Sequence, residues 1–408
     1  MQKIVWISAY LPYDSVNHAG GRIHNYYLNR LIETHEFDIR LISFYTPDEI
    51  NKFTIGGKIQ CDLICYETGL KKLVRGIREI NYKHNPFHKY GNIANRFSHY
   101  HILKILKRYR DEGYTPDIII LEWTQIVVFI KDIKAVFPDA KFVSIEEDVA
   151  LLSYKRKKEK EKRLLKKWIA GLRFKKLENA EVDALASSDL IILNNEKDSK
   201  LLEQYNILKG KKIKVWAPYY DSYVKYKRGE IYEHSMIYYG AMNRPENYLS
   251  VIWFIDKVLP LFDQEFEYKF YVVGGKPDRR LLSYESDKIV ITGFVEDVSE
   301  YFSKVGCLVA PLVLGAGIKI KILEALSAGI PVLTNSIGIE GIPAEPNKEY
   351  FHCEMPEDYS GVIQKLFRGE YDNRQIEDDE KKFVSTHFNY EKSADDFIKW
   401  IRSICLYE

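Results

Sequence analysis

The chain has 408 residues, of which 46% are hydrophobic and 29% are charged, and its formal net charge at neutral pH is +2. This composition is typical of a soluble globular protein, and the length exceeds what one hydrophobic core usually organises, so we expect two domains. No apolar run is long enough to span a membrane, and the sequence opens on a strand-like stretch rather than a signal peptide, so we expect a cytoplasmic protein.

The first half of the sequence alternates strands with helices. Its opening stretch KIVWISAY predicts a buried strand, and a loop with two glycines leads into the helical pattern RIHNYYLNRLIE. Four further strands are predicted at FDIRLISF, DIIILEW, KFVSIEE and DLIILNN. Apolar strands that alternate with helices indicate a parallel sheet covered on both faces, so we predict a Rossmann-like α/β domain.

The alternation stops at a polar, tyrosine-rich stretch and then begins again. We place the boundary within residues 216–230 and predict domains of residues 1–220 and 221–385, followed by a helix in 386–408 that packs back on the first domain. The second series predicts strands and helices at SMIYYGAM, YLSVIWFIDKVLPLF, FEYKFYVVGG, KIVITGF, DVSEYFSKV, CLVAPLV and PVLTN. We therefore expect two Rossmann-like domains in tandem.

A strongly basic segment lies in the first half, at residues 155–176. It holds twelve Lys or Arg residues against two Glu, a local balance of +10 in a chain whose total is +2. The segment predicts a helix whose apolar stripe consists of Leu164, Leu165, Trp168, Leu172 and Leu177. A basic amphipathic helix is a candidate for peripheral contact with an anionic membrane at its inner face. The alternatives are a stripe packed on its own domain and a surface for nucleic acid.

The stretch GAGIKIKILEALSAGIPV starts a helix with an unusual concentration of glycine and lysine. We predict a helix from about Lys319 to Ser327, because Gly329 and the proline after Ile330 end it. A helix N-terminus exposes unpaired N–H groups and the positive end of the helix dipole, which disfavours lysine and favours an anion. A bound phosphate would account for Lys319 and Lys321 at this position.

Glu324 follows Lys321 by three residues, on a neighbouring face of the same predicted helix. A carboxylate only accepts hydrogen bonds, which suits the vicinal hydroxyls of a ribose. The alternative is a surface ion pair between Lys321 and Glu324. The glycines, the preceding strand and the helix end favour a nucleotide.

Several motifs of the second half resemble one enzyme family. In chain order they are YYGAMNRPENYLSVIWFIDKVLP, YVVGG, ITGFVEDVSEYFSKVGCLVAPL and GAGIKIKILEALSAGIPVLTN. Their order and spacing are similar to those of the C-terminal domain of GT-B glycosyltransferases, in particular the retaining family four, the glycosyl transferases group 1. The resemblance implies the GT-B architecture, in which two Rossmann-like domains with parallel sheets face a central cleft that holds the site.

The resemblance implies roles for residues of the C-terminal domain, which would bind the nucleotide sugar. Glu324 would bind the ribose, while Lys321 and Lys319 would bind the diphosphate and stabilise its charge as it leaves. Gly317 and Ile318 would bring the main chain close to the sugar and the phosphates. The turn formed by residues 293–295, namely Gly293, Phe294 and Val295, would hold the base.

The N-terminal domain would face the same ligand and bind the acceptor. Gly20 and Gly21, which open the first helix, would face the diphosphate. Asp148 is the candidate for orienting the acceptor hydroxyl or stabilising positive charge at the anomeric carbon, and Glu147 is the second candidate. For either residue, the alternative is that it only caps the following helix.

The chain departs from the family pattern at several positions. Many members carry a second glutamate where this chain has Ala316. Members also tend to carry Arg and Lys after the glycine equivalent to Gly240, where this chain has Ala241 and Asn247, and Arg244 is the candidate substitute. Relatives often have His then Asp where residues 147 and 148 are Glu and Asp.

The sequence therefore predicts a glycosyltransferase that moves a hexose from a nucleoside-diphosphate sugar, of UDP or GDP type, to a hydroxyl acceptor such as a glycan or a lipid-linked glycan. We expect no metal and no permanently bound cofactor, since there is no DxD triplet and the five scattered cysteines form no CxxC pair. Nucleic acid is not expected as a partner.

Two alternatives change the activity and keep the fold. The departures from the family pattern are compatible with a non-catalytic partner subunit or binding module, although the GAGIKIKILEA element argues against a scaffold without a ligand. The other alternative is a different reaction, such as epimerisation of a sugar nucleotide or glycosylation of nucleic acid, because fold alone does not decide function.

Overall fold

Two units make up the chain. The computed structural model describes residues 1–14, 16, 18–66, 93–147, 149–160, 163–229, 233–315 and 317–405. Unit 1 consists of Met1–Tyr219 together with Tyr390–Glu408, and unit 2 consists of Tyr220–Asn389. The chain therefore leaves unit 1, forms unit 2 and returns to unit 1.

Unit 1 is built on a seven-stranded parallel sheet with the order β3-β2-β1-β4-β5-β6-β7. Its strands are β1 Gln2–Ser8, β2 Phe37–Tyr45, β3 Gln60–Cys65, β4 Ile118–Glu122, β5 Lys141–Glu146, β6 Leu190–Leu193 and β7 Ile213–Val215. The central strands are runs of Ile, Val and Leu that are buried on both faces, as a parallel sheet between two helical layers requires.

Helices cover both faces of this sheet. They are α1 Ala19–Glu33, α2 Arg96–Asp111, α3 Thr124–Val127, α4 Ile130–Lys134, α5 Ala150–Lys160, α6 Leu164–Ala186, α7 Glu196–Leu202 and α14 Tyr390–Ser403, with 3₁₀ turns at Ile50–Lys52, Ile55–Gly57 and Asn206–Leu208. Helix α14 contributes Phe397 to a buried aromatic group in which Trp216 stacks on Tyr27 with ring centroids 3.7 Å apart. This group joins α14 to α1 within unit 1.

Unit 2 repeats the architecture with six parallel strands in the order β10-β9-β8-β11-β12-β13. The strands are β8 Glu233–Tyr239, β9 Lys269–Val273, β10 Ile289–Gly293, β11 Val305–Ala310, β12 Val332–Thr334 and β13 Phe351–His352. The helices are α8 Pro245–Lys257, α9 Arg279–Leu282, α10 Ser299–Phe302, α11 Ile320–Ala328, α12 Pro356–Phe367 and α13 Asn373–His387, with a 3₁₀ turn at Leu259–Leu261.

The two sheets confirm the predicted α/β class, and both have the doubly wound order in which the first strand of the unit lies in the middle. All the strands predicted from the sequence are present. Three further strands, β3, β7 and β13, were not predicted, and each of them is an edge strand. In folds of this kind, ligands bind at the carboxyl ends of the strands, near the point where the strand order reverses.

Helix α6 is exposed in its first half and packed in its second half. Leu164, Trp168 and Leu172 are 86%, 63% and 50% exposed, whereas Leu177 is 1% exposed and belongs to the core of unit 1. Of the predicted apolar stripe, only Leu177 packs on its own domain. The helix is also not a membrane span, because in the described ranges no helix is both long and apolar enough to cross a bilayer.

Candidate functional site

Three glycines end three neighbouring strands of unit 2. Gly240, Gly274 and Gly293 follow or close β8, β9 and β10 with φ values of 151°, 153° and 70°. The N–H of Gly274 donates to the carbonyl of Gly293 at 2.9 Å, and a Cβ added to Gly274 would lie 1.7 Å from the carbonyl oxygen of Gly240. Contact thus excludes a side chain at Gly274, and the positive φ favours glycine at all three positions.

Helix α11 begins beside this edge. It starts one residue after the predicted start, with Lys319 as an extended N-cap residue that makes no side-chain capping bond, and it ends at Gly329 with φ 70°. The Lys319 ammonium donates to the carbonyl of Gly317, whose φ of 69° turns the loop into the helix. Ala316, at the position where many members of the resembled family carry glutamate, lies outside the described residues.

The Lys321 ammonium is enclosed by neutral oxygens and an aromatic ring. Its Nζ lies 2.7 Å from Oδ1 of Asn247 and 3.1 Å from the Tyr238 hydroxyl, and it sits 4.1 Å from the centroid of the Tyr238 ring. Desolvation, followed by repulsion from Lys319, lowers the pKa of Lys321 to about 7. Burial disfavours the protonated form of Lys321. A ligand anion beside the ammonium would favour the protonated form again.

Glu324 lies one turn further along α11. It is 4% exposed, and its carboxylate accepts a hydrogen bond from the Tyr239 hydroxyl, which also lies 3.1 Å from the carbonyl oxygen of Lys321. The Glu324 carboxylate is therefore buried and does not lie at the surface. Tyr239 fixes one edge of this carboxylate in the second turn of the helix.

The remaining predicted residues of unit 2 lie at the start of α8 and just after β10. Arg244 is the N-cap residue of α8, with its side chain 57% exposed and 3.6 Å from Glu246. Phe294 follows β10 and is 73% exposed, and Val295 is half-buried. Asn247, at a position where relatives tend to carry lysine, is the residue that holds Lys321.

Tyr238, Tyr239 and Asn247 were not predicted as site residues. The sequence did hold a signal for the two tyrosines. They end a predicted strand directly before Gly240, a glycine of the motif that resembles the family. Neighbouring residues of a strand point to opposite faces, so the two hydroxyls serve different partners, Lys321 and Glu324. The spacing of the sequence does not reveal which partner each hydroxyl meets.

In unit 1, the structure brings Gly20, Gly21 and Glu147 to the start of α1. A Cβ on Gly20 would lie 3.3 Å from the Trp123 ring and 3.4 Å from the Glu147 carboxyl carbon. The N–H of Gly21 donates to Nδ1 of His18 at 2.9 Å, and a Cβ there would lie 2.3 Å from the Val16 side chain. Close packing therefore excludes a side chain at Gly21 and leaves little room for one at Gly20.

Glu147 is 9% exposed and follows β5. Its carboxylate accepts a hydrogen bond from the Asn194 amide at 2.8 Å. The first N–H groups of α5, those of Ala150 and Leu151, donate at 2.8 and 3.1 Å to the carboxylate of Glu181 from helix α6. Asp148, the first catalytic candidate, lies outside the described residues.

Further buried carboxylates, which were not predicted from the sequence, lie at the same edge of this sheet. Glu122 is fully buried at the end of β4, where it accepts the Trp6 indole N–H at 2.7 Å and lies 3.3 Å from Nε2 of His24. Burial, followed by repulsion from Glu147, raises the pKa of Glu122 well above its usual range. Trp123, the next residue, has a φ of 70°, a backbone strain of a kind that concentrates at functional sites.

Glu181 gives this acidic group a measurable pH dependence. Burial raises its pKa from 4.5 to about 8. As the pH rises between these two values, the unfolded state releases a proton that the folded state retains, so the free energy of unfolding falls. Glutamine at position 181 does not titrate. As the pH rises from 4.5 to about 8, we therefore expect the Tm of Glu181→Gln to increase by several degrees relative to that of wild type.

Thermal denaturation across this pH range tests the prediction, with Glu203→Gln, an exposed carboxylate of the same unit, as the matched control. A constant difference in Tm between wild type and Glu181→Gln would contradict the raised pKa.

The sequence and the fold match known glycosyltransferases. Residues 233–368 match the family described as Glycosyl transferases group 1. An uncharacterized 44.6 kDa protein in the cps region of Klebsiella pneumoniae is 24% identical over 140 residues, and the match covers 31% of this chain and 36% of that protein. The chain therefore spans about a third of the length of this relative.

Solved structures match over nearly the whole chain. Sucrose-phosphate synthase from Thermosynechococcus elongatus is 14% identical, with a TM-score of 0.66 and 99% of both chains covered. HepE from Anabaena in complex with UDP is 11% identical, with a TM-score of 0.66 and coverage of 99% of this chain and 100% of that one. A mutant of S. aureus TarM in complex with Fondaparinux, alpha-GlcNAc-glycerol and UDP is 13% identical, with a TM-score of 0.61 and the same coverage. The chain has the GT-B fold of glycosyltransferases, and its second unit carries the sequence match to the glycosyl transferases group 1.

Proposed function

We propose that the chain is a glycosyltransferase that takes its sugar from a nucleoside-diphosphate donor. The observation that carries the proposal is the pairing of an enclosed ammonium, Lys321, with a buried carboxylate, Glu324, in the first two turns of a helix with no side-chain cap. A diphosphate needs cations and N–H donors, and a ribose needs an acceptor. This helix start offers all of them within two turns.

The donor would lie across the carboxyl edge of the unit 2 sheet. Lys321, Lys319 and the N–H groups of α11 would bind the diphosphate, and Glu324 would accept from the ribose hydroxyls. The exposed ring of Phe294, with the main chain of Gly293 and Val295, suits a nucleobase, which combines a flat apolar face with polar edges. We place the sugar near the main chain of Gly240, Gly317 and Ile318, as the resemblance implies.

UDP is the nucleotide that we favour, because HepE and TarM, which share the fold, have been determined with UDP. We propose that Gly20 and Gly21 of unit 1 face the diphosphate and that Arg244 adds a further cation. The transferred group would be a hexose, and the acceptor would be a hydroxyl of a glycan or a lipid-linked glycan.

The reaction would break the bond between the anomeric carbon and the diphosphate and form a bond from the same carbon to the acceptor oxygen. Lys321 and Lys319 would stabilise the negative charge on the leaving diphosphate, the place where electrostatic catalysis is most effective. Asp148, with Glu147 as the second candidate, would orient the acceptor hydroxyl or stabilise positive charge at the anomeric carbon. We propose retention at that carbon, as in the family that the sequence resembles.

We also propose that transfer needs no metal, because the two lysines and the helix start supply the positive charge that a metal would otherwise provide. Among the described residues, His, Cys, Asp and Glu side chains form no group of three or more that could hold a metal ion.

The second candidate function is a non-catalytic subunit or binding module of a glycosylation complex. Three departures from the family that the sequence resembles favour it: Ala316, where many members carry Glu, Ala241, where members tend to carry Arg, and Glu147, where they often carry His. The retained helix start argues against it, because a scaffold has little use for an enclosed ammonium. Donor hydrolysis by the isolated protein would separate the two functions.

Thermal stabilisation by UDP, GDP, ADP, CMP and their sugars tests the donor site directly. Ligand binding to the folded state raises its stability by mass action, by about 2.7 kcal/mol at 100 times the Kd. For a unit of this size we expect Tm to rise by about 5–10 °C with the correct nucleotide. Uniform lack of stabilisation would contradict the donor site and favour the subunit function.

A further inference from the structure

An exposed apolar ridge lies on the first half of α6. The ridge consists of Leu164, Leu165, Trp168, Ile169 and Leu172, which are 86%, 70%, 63%, 36% and 50% exposed. Soluble proteins seldom leave five neighbouring apolar side chains in water, and exposed apolar patches of this kind mark interaction sites.

Helix geometry separates the ridge from the face that packs on unit 1. At about 100° per residue, the five ridge positions fall within an arc of about 140°, and Phe174 and Leu177 fall on the opposite side. Phe174 and Leu177 belong to the core of unit 1, and Lys158 of α5 lies 5.6 Å from the Phe174 ring. The helix is therefore held by one face, and the ridge points away from the core.

Positive charge surrounds the ridge. From Arg163 to Lys176 the chain has six Lys or Arg residues and no Asp or Glu. Lys166 and Lys167, which flank the ridge on either side of the helix, are exposed. Long basic side chains can lie along an apolar surface and extend their charges to its rim, so the ridge and its cations form one amphipathic surface.

The combination of an apolar ridge with basic side chains favours one class of partner over another. A nucleic acid would need the cations but not the Leu and Trp side chains, and burying the ridge against a duplex would gain little. An interfacial helix in a bilayer needs both parts: apolar residues that enter the acyl boundary, and Lys and Arg that meet anionic headgroups. Tryptophan in particular is enriched at the level of the headgroups.

We propose that the ridge docks the chain on a bilayer whose facing leaflet contains anionic lipid. The helix lies in the interface and does not cross it, since its other face remains packed on unit 1. The anionic inner leaflet of a cell membrane has the required charge. The proposal does not depend on the transfer reaction, because it rests on residues of unit 1 that the donor site does not use.

Sedimentation of the full chain with lipid vesicles tests the docking. We expect binding to vesicles that mix phosphatidylcholine with phosphatidylglycerol, and at least ten-fold weaker binding to phosphatidylcholine alone. The double variant Leu164→Ser with Trp168→Ser should lose at least ten-fold in affinity for the mixed vesicles. Ile207→Ser, which removes an apolar residue of the same unit that is 56% exposed, is the matched control and should bind as wild type does.

A second variant separates charge from apolar contact. Lys166→Glu with Lys167→Glu should weaken binding to the mixed vesicles and leave the thermal midpoint within a few degrees, because both side chains are exposed. Wild-type chain that stays in the supernatant with the mixed vesicles would overturn the proposal. So would sedimentation that the Leu164 and Trp168 variant does not reduce, or binding to duplex DNA in place of vesicles.

Discussion

Replacing Lys321 with methionine is expected to lower the rate of donor cleavage by about 10²–10³-fold, the size of effect that follows loss of one preorganised group at a developing charge. The Lys321 ammonium is fixed by Asn247 and the Tyr238 hydroxyl, so it needs no rearrangement to meet the leaving diphosphate. Release of nucleoside diphosphate from the donor identified by thermal stabilisation gives the rate.

The same residue sets an expected pH dependence. The pKa of Lys321 is lowered to about 7 by desolvation and by Lys319. In the proposed reaction, only the protonated form would stabilise the diphosphate. The value of kcat/KM for the donor reports groups of the unbound enzyme, so it should fall about ten-fold per pH unit as the pH rises above this pKa. In Lys321→Met this alkaline limb should be absent.

Lys365→Met is the matched control, because Lys365 is exposed on α12 of the same unit. It should leave both the rate and the pH profile unchanged. A Lys321→Met enzyme with a wild-type rate would remove this lysine from the proposed chemistry, and an unchanged alkaline limb in that variant would assign the titration to another group.

Replacing Glu324 with glutamine is expected to weaken donor affinity by about 10- to 100-fold, since a hydrogen bond to a charged group contributes about 1.5–3 kcal/mol. The change keeps the size of the side chain and exchanges an acceptor oxygen for a donor. Calorimetric titration with the donor measures it. The rate at saturating donor should change much less, because the ribose is remote from the reacting carbon.

Two controls bracket this result. Glu370→Gln alters an exposed carboxylate of unit 2 and should bind the donor as wild type does. Tyr239→Phe removes the hydroxyl that fixes one edge of Glu324, and it should weaken affinity by less than Glu324→Gln does. Equal donor affinity in wild type and Glu324→Gln would place the ribose elsewhere.

The sequence identified every central strand and one edge strand, β10, but missed the other three edge strands, for a physical reason. A central parallel strand is buried on both faces and therefore appears as an apolar run, as β4 does with Ile118–Glu122. Strand β3 at Gln60–Cys65 and strand β7 at Ile213–Val215 each have one neighbour only, and most of their side chains are partly exposed. They lack the run of buried residues on which the prediction depends.

The helix start was predictable because its unusual lysines and glycines are close in sequence. The groups that enclose Lys321 were not, because Tyr238 and Asn247 lie 83 and 74 residues away along the chain. The buried carboxylates of unit 1 were not predictable for the same reason, because they are distant from one another along the chain. Glu122 and Glu181 come from different elements, and only the folded sheet shows that both are buried beside Glu147 and Glu146.

The return of the chain to unit 1 at Tyr390 makes unit 2 an insertion within a domain. Phe397 and Ile401 pack in one core with Trp6 and Tyr27. During synthesis, the core of unit 1 can therefore be completed only after the whole of unit 2 has been made. Unit 2 is continuous and is the half that suits expression on its own, whereas unit 1 requires its two segments to be joined. An engineered donor-binding module should therefore begin at Tyr220 and end at Asn389, the two positions where the chain passes between the units, and should not be defined by a single boundary.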